Sequence, residues 1–249
     1  MSSALVDIDV LILAGGLGSR LNGVLADLPK VLAPIKGRAF LDYQLDYLHG
    51  LGVSRVVLSL GHRSEMVLAH LEKAKVPLRV ETVVEPRPLG TAGAVAYARS
   101  AVSSDPTVVL NGDTWLEVDF AAMLEEHRKS RNALATLACV EVDNTGRYGA
   151  VLLAADGCID RFIEKGESHS AGLISGGAYM LSGRLLDSLL AGSGSSLERD
   201  VLPHLPQGTL RPYLVQRGNF IDIGTPESYA RAATHFEARS AKAITARAL

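Results

Sequence analysis

With 249 residues, of which 47% are hydrophobic, the chain is long enough for one large α/β domain or two small ones. Its net charge of −2 argues against an extended nucleic-acid interface. The sequence has no apolar run long enough for a membrane helix and no signal-peptide pattern, so we expect a cytoplasmic protein without membrane contact. Cys139 and Cys158 lie in apolar runs without C-x-x-C spacing, which predicts reduced core thiols.

The first predicted element is an apolar strand, Val6–Ala14, that runs into a glycine-rich turn. The turn contains Gly15, Gly16 and Gly18. Two cations, Arg20 and Lys30, follow it. Glycines let backbone N–H groups approach a ligand closely, and fixed cations suit phosphate oxygens. This combination indicates a polyphosphate site, with an ordinary β-turn as the competing interpretation.

Two common nucleotide loops do not fit this stretch. The Walker pattern G-x-x-x-x-G-K-[ST] is absent from it. The dinucleotide pattern G-x-G-x-x-G is matched at Gly16 and Gly18, but Leu21 occupies the third glycine position. Because that glycine permits close helix–strand packing, Leu21 argues against a dinucleotide-dependent dehydrogenase.

Strands and helices alternate through the first half of the chain. Strands are predicted at Arg55–Leu60, Leu78–Val84 and Thr107–Asp113. Helices are predicted around Leu41, Leu45 and Leu48, with Gly50 and Gly52 at the end, and at Ser64–Lys75, Ala92–Val102 and Phe120–Arg131. This order predicts an α/β fold with a doubly wound, mostly parallel, Rossmann-like sheet that binds ligands at the carboxyl ends of its strands.

The second half is richer in strands, as expected for a mixed-sheet extension that covers a cleft. Strands are predicted at Ala133–Val142, Gly149–Ala154, Cys158–Lys165 and Ile174–Ser182. Gly192–Ser196 reads as a flexible loop rather than a domain linker, and a C-terminal helix is expected from Thr225.

Two carboxylates follow apolar runs far apart in the sequence. Asp113 ends the Asn-Gly-Asp segment, and Asp222 stands in Phe220–Glu227, FIDIGTPE. A carboxylate at the end of such a strand can hold a hard divalent cation. Asn-Gly-Asp is also an ordinary Asx-turn sequence, so that interpretation stays open for Asp113 on its own.

Taken together, the motifs resemble those of the sugar nucleotidyltransferases, from Leu11 to about Glu227. The matching strings are LAGGLGSRL, PKVLAPI, PLGTAGAV, NGD, FIEK and DIGTPE. Two positions depart from the family pattern, since Ser19 replaces a usual Thr and Ser175 a frequent Asn. The resemblance implies an enzyme that joins a sugar 1-phosphate to a nucleoside triphosphate and releases pyrophosphate.

The resemblance also implies a role for each matched residue. Arg20 and Lys30 would be catalytic, on the β/γ- and α-phosphates respectively, and Asp113 and Asp222 would bind Mg²⁺. The nucleotide would contact Leu13, Ala14, Gly15, Gly16, Gly18, Glu85, Gly90 and Thr91. The sugar phosphate would contact Asn111, Tyr148, Gly149, Glu164, Lys165, Ser175, Gly177 and Glu198. One domain, 1–249, would have a mainly nucleotide-binding part (1–130), a mainly sugar-phosphate-binding part (131–225) and a C-terminal helix (226–249).

Glu85 favours GTP among the triphosphates, because an ionised carboxylate can accept hydrogen bonds from both N1–H and N2–H₂ of guanine. A solvated charge at a strand end is the competing interpretation.

The nearest resemblance is to bacterial guanylyltransferases that use D-glycero-α-D-manno-heptose 1-phosphate for capsule or surface polysaccharide biosynthesis. Mannose 1-phosphate guanylyl transfer, uridylyl or thymidylyl transfer to a hexose 1-phosphate, and a non-catalytic nucleotide-sugar sensor are the alternatives. The resemblance also allows a homodimer.

Two further residues have open interpretations. Trp115 could wall the sugar site or pack beneath a loop. His62 follows a strand near the expected crevice, but without a partner motif a surface or capping role is favoured over catalysis.

Overall fold

The computed structural model describes residues 4–16, 25, 28–189, 195–215 and 220–247, with side chains up to residue 237. The strands are β1 (Val10–Ala14), β2 (Pro34–Ile35), β3 (Arg38–Ala39), β4 (Arg55–Leu60), β5 (Arg79–Val84), β6 (Thr107–Asn111), β7 (Thr114–Trp115), β8 (Ala135–Val142), β9 (Ala150–Leu153), β10 (Ile159–Ile163), β11 (Gly172–Leu181), β12 (Leu210–Val215) and β13 (Ile221–Asp222). The α-helices are α1 (Phe40–Gly50), α2 (Ser64–Lys73), α3 (Gly90–Ala98), α4 (Phe120–Lys129), α5 (Gly183–Ser188) and α6 (Pro226–Arg247).

The main sheet of the described residues has nine strands, seven of them in the order β10-β9-β11-β6-β1-β4-β5. Strands β6, β1, β4 and β5 are parallel, whereas β11 runs antiparallel to β6. Strand β8 pairs with β11, and β12 extends the sheet beside β8. The β6–β11 pair thus joins a parallel half of the sheet to an antiparallel extension. The predicted mixed, Rossmann-like sheet is confirmed.

Helices cover both faces of the parallel half because alternate strand residues point to opposite sides. Val10 and Ile12 of β1 belong to a core shared with α1 and α2, whereas Leu11 packs in a second core with α3. Strand β1 is therefore buried on both faces, as its unbroken apolar sequence predicts. Helix α1 presents a continuous buried face at the predicted period, and Gly52, with φ +84°, follows its end.

Most element boundaries agree with prediction to within a few residues, but two differences matter. Strand β1 begins at Val10 rather than Val6 because the preceding Asp9 is hydrogen-bonded into the Ser103–Ser104 loop. Strand β12 was not predicted. It contains Pro212, which an edge strand tolerates because no hydrogen bond from its nitrogen is needed on the open side.

Helix α6 packs over a separate aromatic cluster. Trp115 is 2% exposed in this cluster, with its ring centroid 5.0 Å from that of Tyr47 and 4.9 Å from that of Phe236. The residue is therefore part of the core and does not wall the sugar site. Both cysteines are free and buried, as expected. Within the described residues, no helix combines the length and apolar character needed to cross a membrane.

Candidate active site

A cavity of about 550 Å³ opens at the carboxyl ends of β1 and β6. This is where a doubly wound sheet places its ligands. Sixteen of the predicted site residues line it: Leu13, Ala14, Gly15, Gly16, Lys30, Glu85, Gly90, Thr91, Asn111, Asp113, Tyr148, Lys165, Ser175, Gly177, Glu198 and Asp222. Residues of the predicted nucleotide-binding part and of the predicted sugar-phosphate-binding part thus surround the same cavity.

Lys30 and Asp113 form an ion pair at this cavity, with 2.8 Å between Lys30 Nζ and Asp113 Oδ2. Lys30 begins a short 3₁₀ turn, Lys30–Leu32. Asp113 follows β6 after Gly112, where a Cβ would lie 2.6 Å from the Leu13 carbonyl oxygen. Only glycine at 112 lets the turn pass this close to β1 and carry the Asp113 carboxylate to the loop cation.

Asp222 comes from the far end of the sequence but lies beside Asp113. Strand β13 pairs with β7 so that Asp222 is opposite Thr114, and the Ile223 N–H donates to the Asp113 carbonyl oxygen at 2.9 Å. The two carboxylates therefore belong to neighbouring positions of one two-stranded ribbon. Such neighbouring backbone positions are compatible with a cation shared by the two side chains.

Arg147 was not singled out from the sequence, yet it holds the second carboxylate. Its guanidinium donates to Asp222 Oδ2 at 2.7 Å and to Ser228 Oγ at 2.8 Å. Asp222 Oδ1 accepts from the Gly224 N–H at 2.5 Å, so both carboxylate oxygens are oriented. The only local indication of this role in the sequence was that a cation stands directly before Tyr148. Its partner, Asp222, is 75 residues away.

The donor chemistry of Asp113 and Asp222 fits Mg²⁺. Two carboxylates are the protein share of a typical magnesium site, whose remaining ligands are waters and phosphate oxygens. Among the described residues there is no group of three or more His, Cys, Asp or Glu side chains arranged for a metal.

Glu85 is 9% exposed, so it is not a solvated strand-end charge. Its Oε1 accepts from Ser59 Oγ at 3.1 Å, and its Oε2 accepts from the Leu89 N–H at 3.1 Å. A Cβ at Gly15 would lie 2.7 Å from Oε1, so the glycine loop lies directly against this carboxylate. Each carboxylate oxygen still has a lone pair for a ligand donor.

Gly90 and Thr91, at the start of α3, pack against the segment that precedes Glu198. A Cβ at Gly90, which has φ +71°, would collide with the Ser195 carbonyl oxygen. Thr91 Oγ1 accepts from the Leu197 N–H at 2.8 Å. Besides lining the cavity, both residues therefore join α3 to the π-helical turn Leu197–Val201.

A buried hydroxyl connects two polar residues of the cavity wall. Tyr179 on β11 donates to Glu198 Oε1 at 2.7 Å, and its oxygen is 3.4 Å from Ser175 Oγ. Burial, and then the Glu198 carboxylate, raise the pKa of Tyr179 well above its ordinary value, so the group stays protonated.

Two predicted site residues are described but lie outside the cavity lining, and two more are not described. Gly149 and Glu164 do not line the cavity; a Cβ at Gly149, φ +83°, would lie 2.5 Å from the Ile163 carbonyl oxygen, so this glycine allows strand-to-loop packing. Gly18 and Arg20 lie outside the described residues. His62 is exposed, and its backbone N–H donates to the Gly15 carbonyl oxygen at 3.5 Å, consistent with a surface role.

Comparison with known proteins gives the same grouping as the motifs. The nucleotidyl transferase family model matches residues 9–239. A D-glycero-alpha-D-manno-heptose 1-phosphate guanylyltransferase of Aneurinibacillus thermoaerophilus is 34% identical over 224 residues, covering 90% of this chain and 96% of that protein. The probable mannose-1-phosphate guanylyltransferase 2 of Oryza sativa subsp. japonica is 32% identical over 88% of this chain, and the match spans 62% of that longer protein.

Solved structures agree. HddC from Yersinia pseudotuberculosis, whose crystal structures include one complexed with GMP-PN, is 35% identical with a TM-score of 0.82, covering 92% of this chain and 99% of HddC. A putative glucose-1-phosphate thymidylyltransferase from Bacillus anthracis, at 21% identity and a TM-score of 0.78 over 91% of this chain and 94% of that one, shares the fold. The chain therefore belongs to the nucleotidyl transferase family.

Proposed function

We propose that the protein is a sugar-1-phosphate guanylyltransferase that converts GTP and D-glycero-α-D-manno-heptose 1-phosphate into GDP-heptose and pyrophosphate. The observation that carries this proposal is the single cavity that joins Lys30 and Glu85 to Lys165 and Glu198. The match to the Aneurinibacillus guanylyltransferase over nearly its whole length supports the same assignment.

In the proposed reaction, a phosphate oxygen of the sugar 1-phosphate attacks the α-phosphorus of GTP. One P–O bond forms there while the bond to the β-phosphate oxygen breaks and pyrophosphate leaves. Because the attacking oxygen is already ionised at neutral pH, no general base is needed, and catalysis consists of alignment and charge stabilisation. Lys30 would neutralise the α-phosphoryl oxygens, Arg20 would hold the leaving phosphates, and Lys165 would orient the incoming phosphate.

Asp113 and Asp222 would hold Mg²⁺, which would supply charge neutralisation for the phosphates when bound. Lys30 and Arg147, the present partners of these carboxylates, would add positive charge beside the same phosphates. Both carboxylates keep their orientation through β7–β13 pairing, and Asp222 also through the Gly224 N–H.

Guanine selection is assigned to Glu85. Its carboxylate is ordered by Ser59 and the Leu89 N–H against the glycine loop, so it can accept the paired N–H donors of guanine without reorganisation. Uracil and thymine present carbonyl oxygens there, which a carboxylate would repel. The cytoplasmic nucleotide pool would supply GTP, and the product would serve capsule or surface polysaccharide biosynthesis.

Mannose 1-phosphate is the second candidate acceptor, favoured by the 32% identity to the rice protein. Pyrophosphate release measured for each triphosphate against heptose, mannose and glucose 1-phosphates, with and without Mg²⁺, distinguishes the two. We expect Mg²⁺-dependent turnover with GTP and heptose 1-phosphate. Turnover with UTP or dTTP should be lower by about tenfold or more. A preference for UTP, or no pyrophosphate with any pair, would contradict the proposal.

A further inference from the structure

Tyr179 lies behind the cavity rather than in its wall. The residue is 2% exposed, yet the two side chains that contact its hydroxyl both line the cavity. These are Ser175 on β11 and Glu198 in the π-helical turn. One buried oxygen thus links two separate elements of the wall.

The local backbone is shaped for this contact. The pairing of β11 with β8 shifts register between Ser175 and Tyr179, and Gly177 in this bulge has φ +69°. A Cβ at Gly177 would lie 2.9 Å from Asn111 Nδ2. The bulge therefore lets the Asn111 side chain lie close to the Ser175–Tyr179 segment.

A tyrosine hydroxyl has one proton to donate and two lone pairs with which to accept. Tyr179 donates its proton to Glu198 Oε1 at 2.7 Å, and it can accept from Ser175. No second hydrogen bond to the Glu198 carboxylate occurs within the described ranges, so Oε2 remains for a ligand hydroxyl. Replacement of the hydroxyl would release both wall residues together.

We propose that Tyr179 is a positioning residue for the sugar: by fixing Glu198 and Ser175 it sets the affinity and selectivity for the sugar 1-phosphate. This inference rests on the proposed function, because it assigns these two residues to the sugar hydroxyls. The nucleotide side of the cavity, at Lys30 and Glu85, has no contact with the Tyr179 hydroxyl in the described structure.

Tyr179→Phe keeps the buried ring and removes only the hydroxyl. Since a hydrogen bond to a charged group typically contributes a factor of ten or more, we expect the KM for the sugar 1-phosphate to rise roughly tenfold. The KM for GTP should stay within about twofold, and discrimination between heptose and mannose 1-phosphates should narrow. Tyr47→Phe is the matched control: it removes a partly buried hydroxyl bonded to Val118, away from this cavity, and should leave both KM values unchanged.

A double-mutant cycle with Glu198→Ala tests whether Tyr179 acts through Glu198. Once Glu198 is absent, Tyr179→Phe should raise the sugar KM less than about threefold further. Fully additive effects, or equal losses of GTP and sugar affinity, would overturn the positioning role.

Binding can be followed without catalysis by NMR of the protein labelled with ¹³C at tyrosine Cζ. The Tyr179 signal should shift when sugar 1-phosphate is added and stay in place with GTP alone. If the wild-type enzyme turns over but this signal does not move, the Tyr179 inference fails and the proposed function stands. If a sugar 1-phosphate shifts the signal but no pair of substrates yields pyrophosphate, the proposed function fails instead.

Discussion

Two charged clusters lie at opposite ends of the same parallel strands, and they are built for different purposes. At the amino end, Arg55 bonds to Asp9 Oδ1 at 2.6 Å and to Glu81 Oε2 at 2.6 Å. Asp9 also accepts from the Ser103 and Ser104 backbone N–H groups. Its side chain is 8% exposed, and every charge in this cluster has protein partners.

At the carboxyl end, Lys30–Asp113 and Arg147–Asp222 use similar groups and distances but border the cavity. The Asp113 side chain is 34% exposed. Similar ion pairs therefore differ in what surrounds them. A cluster closed by backbone donors stabilises the fold, whereas one open to a cavity can exchange its partners for a ligand.

We call the cavity-facing pairs Lys30–Asp113 and Arg147–Asp222 the open cluster, and the pairs of Arg55 with Asp9 and Glu81 the closed cluster. Substitution at the open cluster should cause the largest effect, a loss of activity. We expect Lys30→Ala and Asp113→Ala each to lower turnover by about 100-fold or more, because each removes charge stabilisation of the transferring phosphoryl group. Pyrophosphate release measures the loss, and the unfolding midpoint in urea should change little. Near-normal turnover of a folded Asp113→Ala variant would remove this carboxylate from the reaction.

Substitution at the closed cluster should have the opposite profile. Asp9→Ala should lower the free energy of unfolding by about 2 kcal/mol, less than for a fully buried pair because Arg55 retains Glu81. Turnover per folded molecule should be unchanged. Asp46→Ala is the control, since its ion pair with Arg38 is exposed and should contribute less than about 0.5 kcal/mol. Equal stability of the two variants would show that burial does not distinguish these pairs.

Base selectivity should respond to one carboxylate of the open end. Glu85→Gln replaces an acceptor oxygen with a donor group, and the preference for GTP over UTP should fall by about tenfold in kcat/KM. Glu81→Gln, on the strand that ends directly before Glu85 but in the closed cluster, is the matched control and should retain the preference. If both variants discriminate equally well, guanine is selected by another group.

The smallest expected effect is on the pH dependence of stability. Burial raises the pKa of Asp9, but hydrogen bonds from Ser103, Arg55 and Ser104 outweigh it and hold the pKa below the ordinary 3.8. The ionised carboxylate therefore stabilises the fold fully above that ordinary value, and this contribution is lost as pH falls through the lowered pKa. The difference in unfolding free energy between wild type and Asp9→Asn should shrink below about pH 4. An unchanged difference in urea titrations down to pH 3 would contradict this origin.

The sequence was most informative where a local pattern carries the structure. Runs such as Arg55–Leu60 are buried on both faces and were predicted to the residue, and Lys30 and Asp113 stand in motifs. Strand β12 was not predicted because it contains Pro212. Proline argues against a strand unless the strand is known to lie at the edge of a sheet.

Long-range pairs could not be predicted in this way. Arg147 acts on a carboxylate 75 residues away, and Tyr179 on one 19 residues away, without any fixed spacing. Gly90 lines the cavity, but the sequence did not show that its positive φ and its close approach to the Ser195 carbonyl oxygen also serve the packing of α3. Such contacts depend on the register and crossing of elements, which only the assembled fold determines.

The most direct test of the central claim, that Asp113 and Asp222 act on one divalent ion with the nucleotide, is a Mn²⁺ titration followed by electron paramagnetic resonance in the presence of a non-hydrolysable GTP analogue. We expect one Mn²⁺ per chain in the wild-type protein and in Asp9→Ala. Asp113→Ala and Asp222→Ala should each weaken binding by more than about tenfold. An Asp222→Ala protein that binds Mn²⁺ as tightly as the wild type would contradict the shared site.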